Sequence, residues 1–308
     1  MFAVAPEPPS RRPAVPPSRS PPPMAVAPRH ATISPAPAQR AVGVPGLEVR
    51  ALASPAEYHA CVAMQVEVWG EEFESVPASL LQVATYVGGL CLGAFTHAGE
   101  LRGFVFGLAG TIDGRPVHWS HLLGVTETAR NLGVGRLLKE HQRRVLASRG
   151  IPEMCWTFDP LIAKNAHLNL NLLGARVVRY MPDMYGVTDS PLHHGLATDR
   201  LLVSCSTAQP ANANYGARAA DDMAVPVLTP APQPGDDELR RDGPDSASLR
   251  IEVPTDFRQL IAQSPAIAIA WHHALREHFL WALGAGYVVT GLHRDSINSR
   301  SFYTLQAS

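Results

Sequence analysis

Residues 119–150 constrain this 308-residue chain more than any other stretch, because they join an apolar strand, a glycine turn and an amphipathic helix without interruption. Residues 119–125 are apolar and bounded by polar positions, as a buried strand is. The run Arg130-Asn131-Leu132-Gly133-Val134-Gly135 has glycines two apart and reads as a turn. From Arg136 onward Leu137, Leu138, His141, Val145 and Leu146 fall at helical spacing, with Arg and Lys assigned to the opposite face. A helix begun on glycines offers free backbone N–H groups at its positive end, and with no Cβ in the way a phosphate can come close to them. The expected ligand is a polyphosphate; the alternative is a tight strand-to-helix turn that binds nothing.

Spacing excludes two common polyphosphate loops. A Walker loop closes on Lys-Ser or Lys-Thr, whereas Gly135 is followed by Arg136-Leu137. A dinucleotide fingerprint needs three glycines and a later acidic residue, and only two glycines are present. Arg130-x-x-Gly133-x-Gly135 after a strand does resemble the coenzyme A pyrophosphate loop of the GNAT acyltransferases, usually Arg/Gln-x-x-Gly-x-Gly/Ala.

The flanking elements are read from the same signals. Residues 47–53 form a strand, and Ser54-Pro55 starts a helix to about Trp69. A shorter helix spans 77–87, and 90–96 and 101–108 are strands joined by a hairpin turn. After Gly150, residues 154–158 are a strand, 161–173 a helix capped by Gly174, and 176–185 and 199–205 strands. This order resembles the GNAT fold over residues 47–206, an α/β (α+β) architecture with a mixed central sheet flanked by helices. Trp156-Thr157-Phe158-Asp159-Pro160-Leu161, Asn165-Ala166-His167 and Thr198-Asp199-Arg200 are similar to a subgroup of GNAT proteins that carry a C-terminal extension.

The resemblance implies a site. An acyl-coenzyme A thioester, acetyl or succinyl, would lie where the central strand and the next one splay, with Leu123, Gly124, Val125, Arg130, Asn131, Leu132, Gly133, Val134, Gly135, Arg136 and Asn165 holding the carrier. Direct attack of an amine on the thioester then needs a base, an oxyanion donor and an acid for the thiolate. The family's base is often a Glu on the central strand; here His121 occupies that neighbourhood, unless it is a core histidine. Glu127 is read as surface. The family's acid, a Tyr in the helix before the last strands, is matched by Leu170, so Tyr180 and Tyr185 are the substitutes, set against a plain packing role. Asp159 could meet a substrate ammonium or cap the next helix. Asp199 and Arg200 form a buried ion pair, or Arg200 grips an acceptor carboxylate, a question that extends to Arg276.

Outside residues 47–206 the chain changes character. Residues 1–46 hold 13 of the 28 prolines, five arginines and one acidic residue, Glu7, and are expected to be disordered. Residues 207–247 read as a linker with a short strand at 225–228, and 248–308 as a small α/β accessory module of strand, two helices and strand, too thin for its own core and expected to pack on the first domain. His272, His273 and His278 share the longer helix without a carboxylate-bearing motif, so no metal is expected. A formal charge of −1 and the absence of any long apolar run argue against nucleic acid or membrane as partners and for a cytoplasmic protein. Four separated cysteines read as reduced core thiols. The expected function is N-acylation of a small amine, possibly an amino acid, with a homodimer left open. A coenzyme A binding regulator and a protein N-acetyltransferase are the alternatives.

Overall fold

The computed structural model describes residues 44–186, 196–208, 225–228 and 246–308, with the backbone of 39–40. The expected disordered segment 1–46 and linker 207–247 lie largely outside these residues. The described part belongs to one compact unit, 36–308.

Local chemistry starts the elements. After β1 (Gln39–Arg40) and β2 (Leu47–Ala51), Ser54 Oγ accepts from the Glu57 N–H at 3.3 Å and Pro55 opens α1 (Pro55–Trp69). Helix α2 (Ala78–Tyr86) follows, then β3 (Leu90–Thr96), β4 (Leu101–Ile112) and β5 (Arg115–Val125). Helix α3 (Val134–Ser148) leads to β6 (Glu153–Phe158). Next come α4 (Ala163–Ala166), a π-turn (His167–Leu172), β7 (Arg176–Met181) and β8 (Arg200–Ser206). The eight strands pair in the order β1-β2-β3-β4-β5-β6-β8-β7, with β5 and β6 parallel and the other pairs antiparallel.

One apolar cluster, built on Tyr58, Met64, Leu81, Phe104 and Phe106, fills the space between α1, α2 and the sheet. A larger one includes α3 residues Leu137, Leu138 and Val145 on the other side and runs on through Leu201 and Phe279 to Tyr303. A mixed sheet carries this second region: β9 (Val227–Leu228), β10 (Ser248–Val253), β11 (Tyr287–Asp295) and β12 (Arg300–Ala307), in the order β11-β12-β10-β9. It is accompanied by α5 (Phe257–Gln263) and α6 (Pro265–Gly284).

Four sequence expectations change. The final strand β12 is additional; its alternating Phe302, Thr304 and Tyr303, Leu305 pair with both β10 and β11, so it is the centre of the second sheet. The helix expected at 161–173 is one turn of α-helix followed by a π-turn, in which the Leu173 N–H donates to the Leu168 carbonyl at 2.9 Å. The strand expected to run to residue 185 stops at Met181. Lys139 and Arg143, assigned to the outer face of α3, are buried: Lys139 lies over the Trp156 ring, and Arg143 donates to the Leu173 carbonyl and to Cys205 Sγ.

The two sheets meet through aromatic rings. Phe279, 0 % exposed, stacks on Tyr180 of β7 at 5.4 Å and meets Tyr303 of β12 edge-on at 4.9 Å. Tyr303 donates its hydroxyl to the Pro160 carbonyl at 2.7 Å, and Asn171 bonds the Leu292 backbone through both its amide atoms. Phe279→Ala is therefore expected to cost about 3–5 kcal/mol in urea denaturation while unfolding stays a single transition. A second transition at the wild-type midpoint would show that the two sheets unfold independently.

Candidate active site

Strands β5 and β6 pair over three residues only: Val117 with Glu153, His118 with Met154 and Trp119 with Cys155. Beyond that point they part. One edge of β5 from Ser120 to Val125 is left without a β6 partner, and a cleft of about 870 Å³ opens beside it. The gap is lined by Ser120, His121, Leu122 and Leu123 from β5 and by Trp156, Thr157 and Phe158 from β6. Glu72, Phe73 and Glu74 from the α1–α2 connection form a further part of the wall. Phe257, Arg258, Ile261 and His272 bring α5 and α6 to it as well.

His121 stands at a bulge. The β4–β5 register slips between Phe106 opposite Leu122 and Gly107 opposite Ser120, so His121 is the unpaired extra residue. Its ring packs edge-on to Phe106 at 6.2 Å, and Leu122 packs against the same α1/α2 cluster. His121 is thus an exposed cleft residue rather than a core histidine. Partial desolvation of its ring pulls its pKa below the ordinary value. On the other face Ser120 donates to Gln142 at 2.9 Å, and Gln142 also meets His118 at 3.0 Å.

The glycine loop is built for close approach. Asn131 (φ 64°) and Gly133 (φ 83°) are both left-handed, curling the backbone in the manner of anion-binding loops. No side chain caps α3 at Gly133, so the N–H groups of its first turn are left free by side chains. A Cβ on Gly135 would sit 3.6 Å from the cleft residue Leu123, an ordinary contact, so packing alone does not demand glycine there. Gly124 is different: a Cβ would come 2.7 Å from Phe104, so packing explains it. Lys164 contacts the Asn131 side chain, tying the segment that carries the cleft residue Asn165 to this loop.

The remaining candidates separate into cleft and frame. Asp159 lines the cleft; its Oδ1 accepts from the Leu161 N–H at 2.8 Å in the turn before α4, and its Oδ2 lies 4.0 Å from Arg200. Tyr185 lines the cleft with its hydroxyl 3.3 Å from Thr157 Oγ1. Tyr180 does not: it is buried and donates to Asp199 Oδ2 at 2.6 Å, and burial pushes its phenol far above the usual range, so the acid role is withdrawn from it.

Asp199, 2 % exposed, is a hub. Arg276 grips both of its carboxylate oxygens at 2.5 and 2.8 Å, and the Asp183 N–H adds a bond at 2.9 Å. The buried ion pair is therefore Asp199–Arg276, not Asp199–Arg200, and Arg276 is engaged in structure rather than aimed at an acceptor. Arg200 donates to the Asp199 carbonyl at 2.9 Å and keeps its place in the cleft wall. His272 contacts the Ala197 carbonyl at 3.0 Å and lines the cleft, which its place in a helix gave no sign of.

Sequence reasoning also missed Lys139 and the glutamates at 72 and 74. Lys139 is 2 % exposed, lines the cleft, and holds Nζ 3.7 Å from the centroid of the Trp156 ring. Its only signal was a lysine beside the apolar stripe of α3. Among the described residues no group of three His, Cys, Asp or Glu is placed to hold a metal, all four cysteines are buried free thiols, and no helix is long and apolar enough to cross a membrane.

Asp199 carries a stability prediction. Burial works to raise its carboxyl pKa, but the Arg276 and Tyr180 hydrogen bonds outweigh burial and hold it below the ordinary 3.8. Its contribution is present above the unfolded-state value and is lost as pH falls through the folded one. Asp199→Ala is expected to cost about 3–5 kcal/mol at neutral pH, with the gap to wild type closing in denaturation curves below about pH 4. A gap that stays constant down to that range would remove the ion pair as its cause.

No protein-family model and no curated protein matches the sequence. Among solved structures the chain is similar to the ribosomal-protein-S18-alanine N-acetyltransferase of Escherichia coli, at 15% identity over 54% of this chain and 97% of that one, TM-score 0.43. It is also similar to aminoglycoside 6'-acetyltransferase type Ii, at 16% identity over 52% and 97%, TM-score 0.43. An acetyltransferase of the GNAT family from Streptococcus pneumoniae matches at 18% identity over 52% and 99%, TM-score 0.41. The strand order, the early parting of two parallel strands and the helix started on glycine are the features that the resemblance to the GNAT fold implied.

Proposed function

We propose that the protein is an acyl-coenzyme A dependent N-acyltransferase acting on a small amine. The observation that carries this reading is the cleft between the parted strands, with a bulged histidine in its wall and an uncapped helix start whose Gly135 lies next to the cleft residue Leu123. A pyrophosphate fits the first, since four or so oriented N–H groups and a helix dipole stabilise negative charge without a counter-ion. The N–H and C=O groups along the unpaired edge of β5 suit an amide-bearing arm, which completes the interrupted ladder. Of the expected cofactor residues, Gly124 then contributes its backbone only.

His121 serves as base in this reading. A neutral imidazole takes the proton that the attacking nitrogen loses, and its place on the α1/α2 side sets the acceptor on that side. Glu72 and Glu74 on the same wall favour a cationic amine. Walling of the cleft by α5 and α6 supports a small acceptor over an extended peptide. With Arg276 engaged by Asp199, a carboxylate on the acceptor rests on Arg200 or on Arg258, the two arginines in the cleft wall.

Two measurements test this. Gly135→Asp places a carboxylate where the helix dipole welcomes it, so the melting temperature should hold, while coenzyme A affinity in calorimetry should fall at least about tenfold. Unchanged affinity would rule out the loop as the pyrophosphate site. His121→Ala should lower kcat for acetyl-coenzyme A by roughly 10²–10⁴. Because its pKa lies below the ordinary 6.5, the acid limb of wild-type activity should appear only as pH drops through that lower value. An acid limb that survives in the variant would exclude His121 as the base.

A further inference from the structure

We propose that Lys139 is the catalytic acid of this transfer: held on the α3 side of the gap between β5 and β6, its ammonium gives its proton to the thiolate sulfur as the C–S bond breaks. The proposal rests on the acyl-coenzyme A reading above.

Position comes first. Lys139 follows Gly135 by one helical turn and points from α3 to the fork of the sheet. Ser120 and Trp156, the residues immediately after the last paired positions Trp119 and Cys155, line the cleft with it. Its side chain is buried in the cleft wall, and among the described residues its amine has the ring of Trp156, another cleft residue, as partner. Trp156 is itself fixed, donating Nε1–H to Asn169 at 2.9 Å. A buried ammonium with no carboxylate is costly, so the site invites a negative charge from outside the chain.

The surrounding groups agree. Arg143 on the same helix, His118 on β5, Cys155 on β6 and Cys205 on β8 face Lys139; none is a carboxylate. Burial, with Arg143 acting in the same sense and the two thiols against it, brings the amine down to about 7. It therefore both holds and releases a proton near neutrality.

Sidedness then assigns the role. His121 and Leu122 face the α1/α2 cluster, whereas Lys139 reaches the gap from the opposite face, which also carries the glycine loop. A thioester anchored by its diphosphate at that loop brings its sulfur in from the α3 side, and the amine arrives from the His121 side. Leu170, 1 % exposed, has no proton to give, and Tyr180 is sealed against Asp199. In the step, the acceptor nitrogen forms the C–N bond and loses its proton to His121. The C–S electron pair passes to sulfur, and Lys139 protonates it, leaving free thiol and a neutral amine that water recharges.

Three proteins test this: wild type, Lys139→Met and Lys139→Arg. Methionine keeps the contact with Trp156 and removes a buried charge, so the fold should hold by thermal melting. Coenzyme A should bind all three in calorimetry. The thiolate absorbance of bound coenzyme A should titrate at least about one pH unit lower in wild type than in Lys139→Met, because the ammonium stabilises the thiolate. Thiol release from acetyl-coenzyme A, with the amine wild type uses best, should fall roughly 100-fold or more in both variants, since arginine keeps the charge but cannot donate its proton. Equal thiol titrations in wild type and Lys139→Met, or turnover by Lys139→Arg within about threefold of wild type, would overturn the role of Lys139 alone. Failure of wild type to bind coenzyme A would overturn the acyltransferase reading and this step with it.

Discussion

The structure depends on the ending of the β5–β6 ladder after Trp119 and Cys155. Two parallel strands that stay paired bury their backbone groups in each other. Two that part leave a row of amides and carbonyls with no partner, and such groups are stable only beside water or a ligand that can bond them. The gap also explains neighbouring features that would otherwise look like errors of design. Lys139 is buried where α3 passes the gap, with its amine over the Trp156 ring. The bulge at His121 bends β5 away at the same level. Trp156 closes the bottom of the gap from β6 and offers its ring face to the lysine.

An open sheet is mechanically weak, and the second sheet compensates. Asp199 at the entry to β8 takes hydrogen bonds from Tyr180 of β7, from the backbone at Asp183 and from Arg276 of α6. The same helix puts Phe279 against Tyr180 and Tyr303. One wall of the cleft is thus held by residues more than seventy positions apart in the chain. Neither region has a complete core without the other, which is why a single apolar cluster runs through both. The charged pair inside it stands next to the cleft, so the rigidity it supplies falls where a substrate would be held.

Legibility followed the range of the interactions. Ser54 before Pro55 announced α1, and Gly174 with φ 65° ended the helical segment before β7, since caps act within a few residues. Asp159 could be read either as a helix cap or as a substrate contact; its bond to the Leu161 N–H holds the turn before α4, whose N-cap is Ile162, and Asp159 also lines the cleft. His121 was found by counting back along a strand, although its exposure comes from a bulge that no periodicity signals. Lys139 was missed because a charged residue on an amphipathic helix is ordinarily solvated. The Asp199–Arg276 pair was missed because nothing local distinguishes one arginine from another, and Asp199 was matched instead to its neighbour Arg200. The final strand β12 was passed over because its central place comes from two partners, β10 and β11, that sequence order does not reveal.

The sequence by itself determined the order of strands and helices from β2 to β8 apart from the π-turn, the glycine turn between β5 and α3, and hence the general fold, because propensity, capping and glycine conformation act over short stretches of chain. Tertiary structure alone decided where β5 and β6 part, which arginine neutralises Asp199, and that a lysine lies buried against Trp156 beside the gap. Those outcomes depend on which surfaces are left to face each other after the elements have packed, and no short window of sequence holds that information.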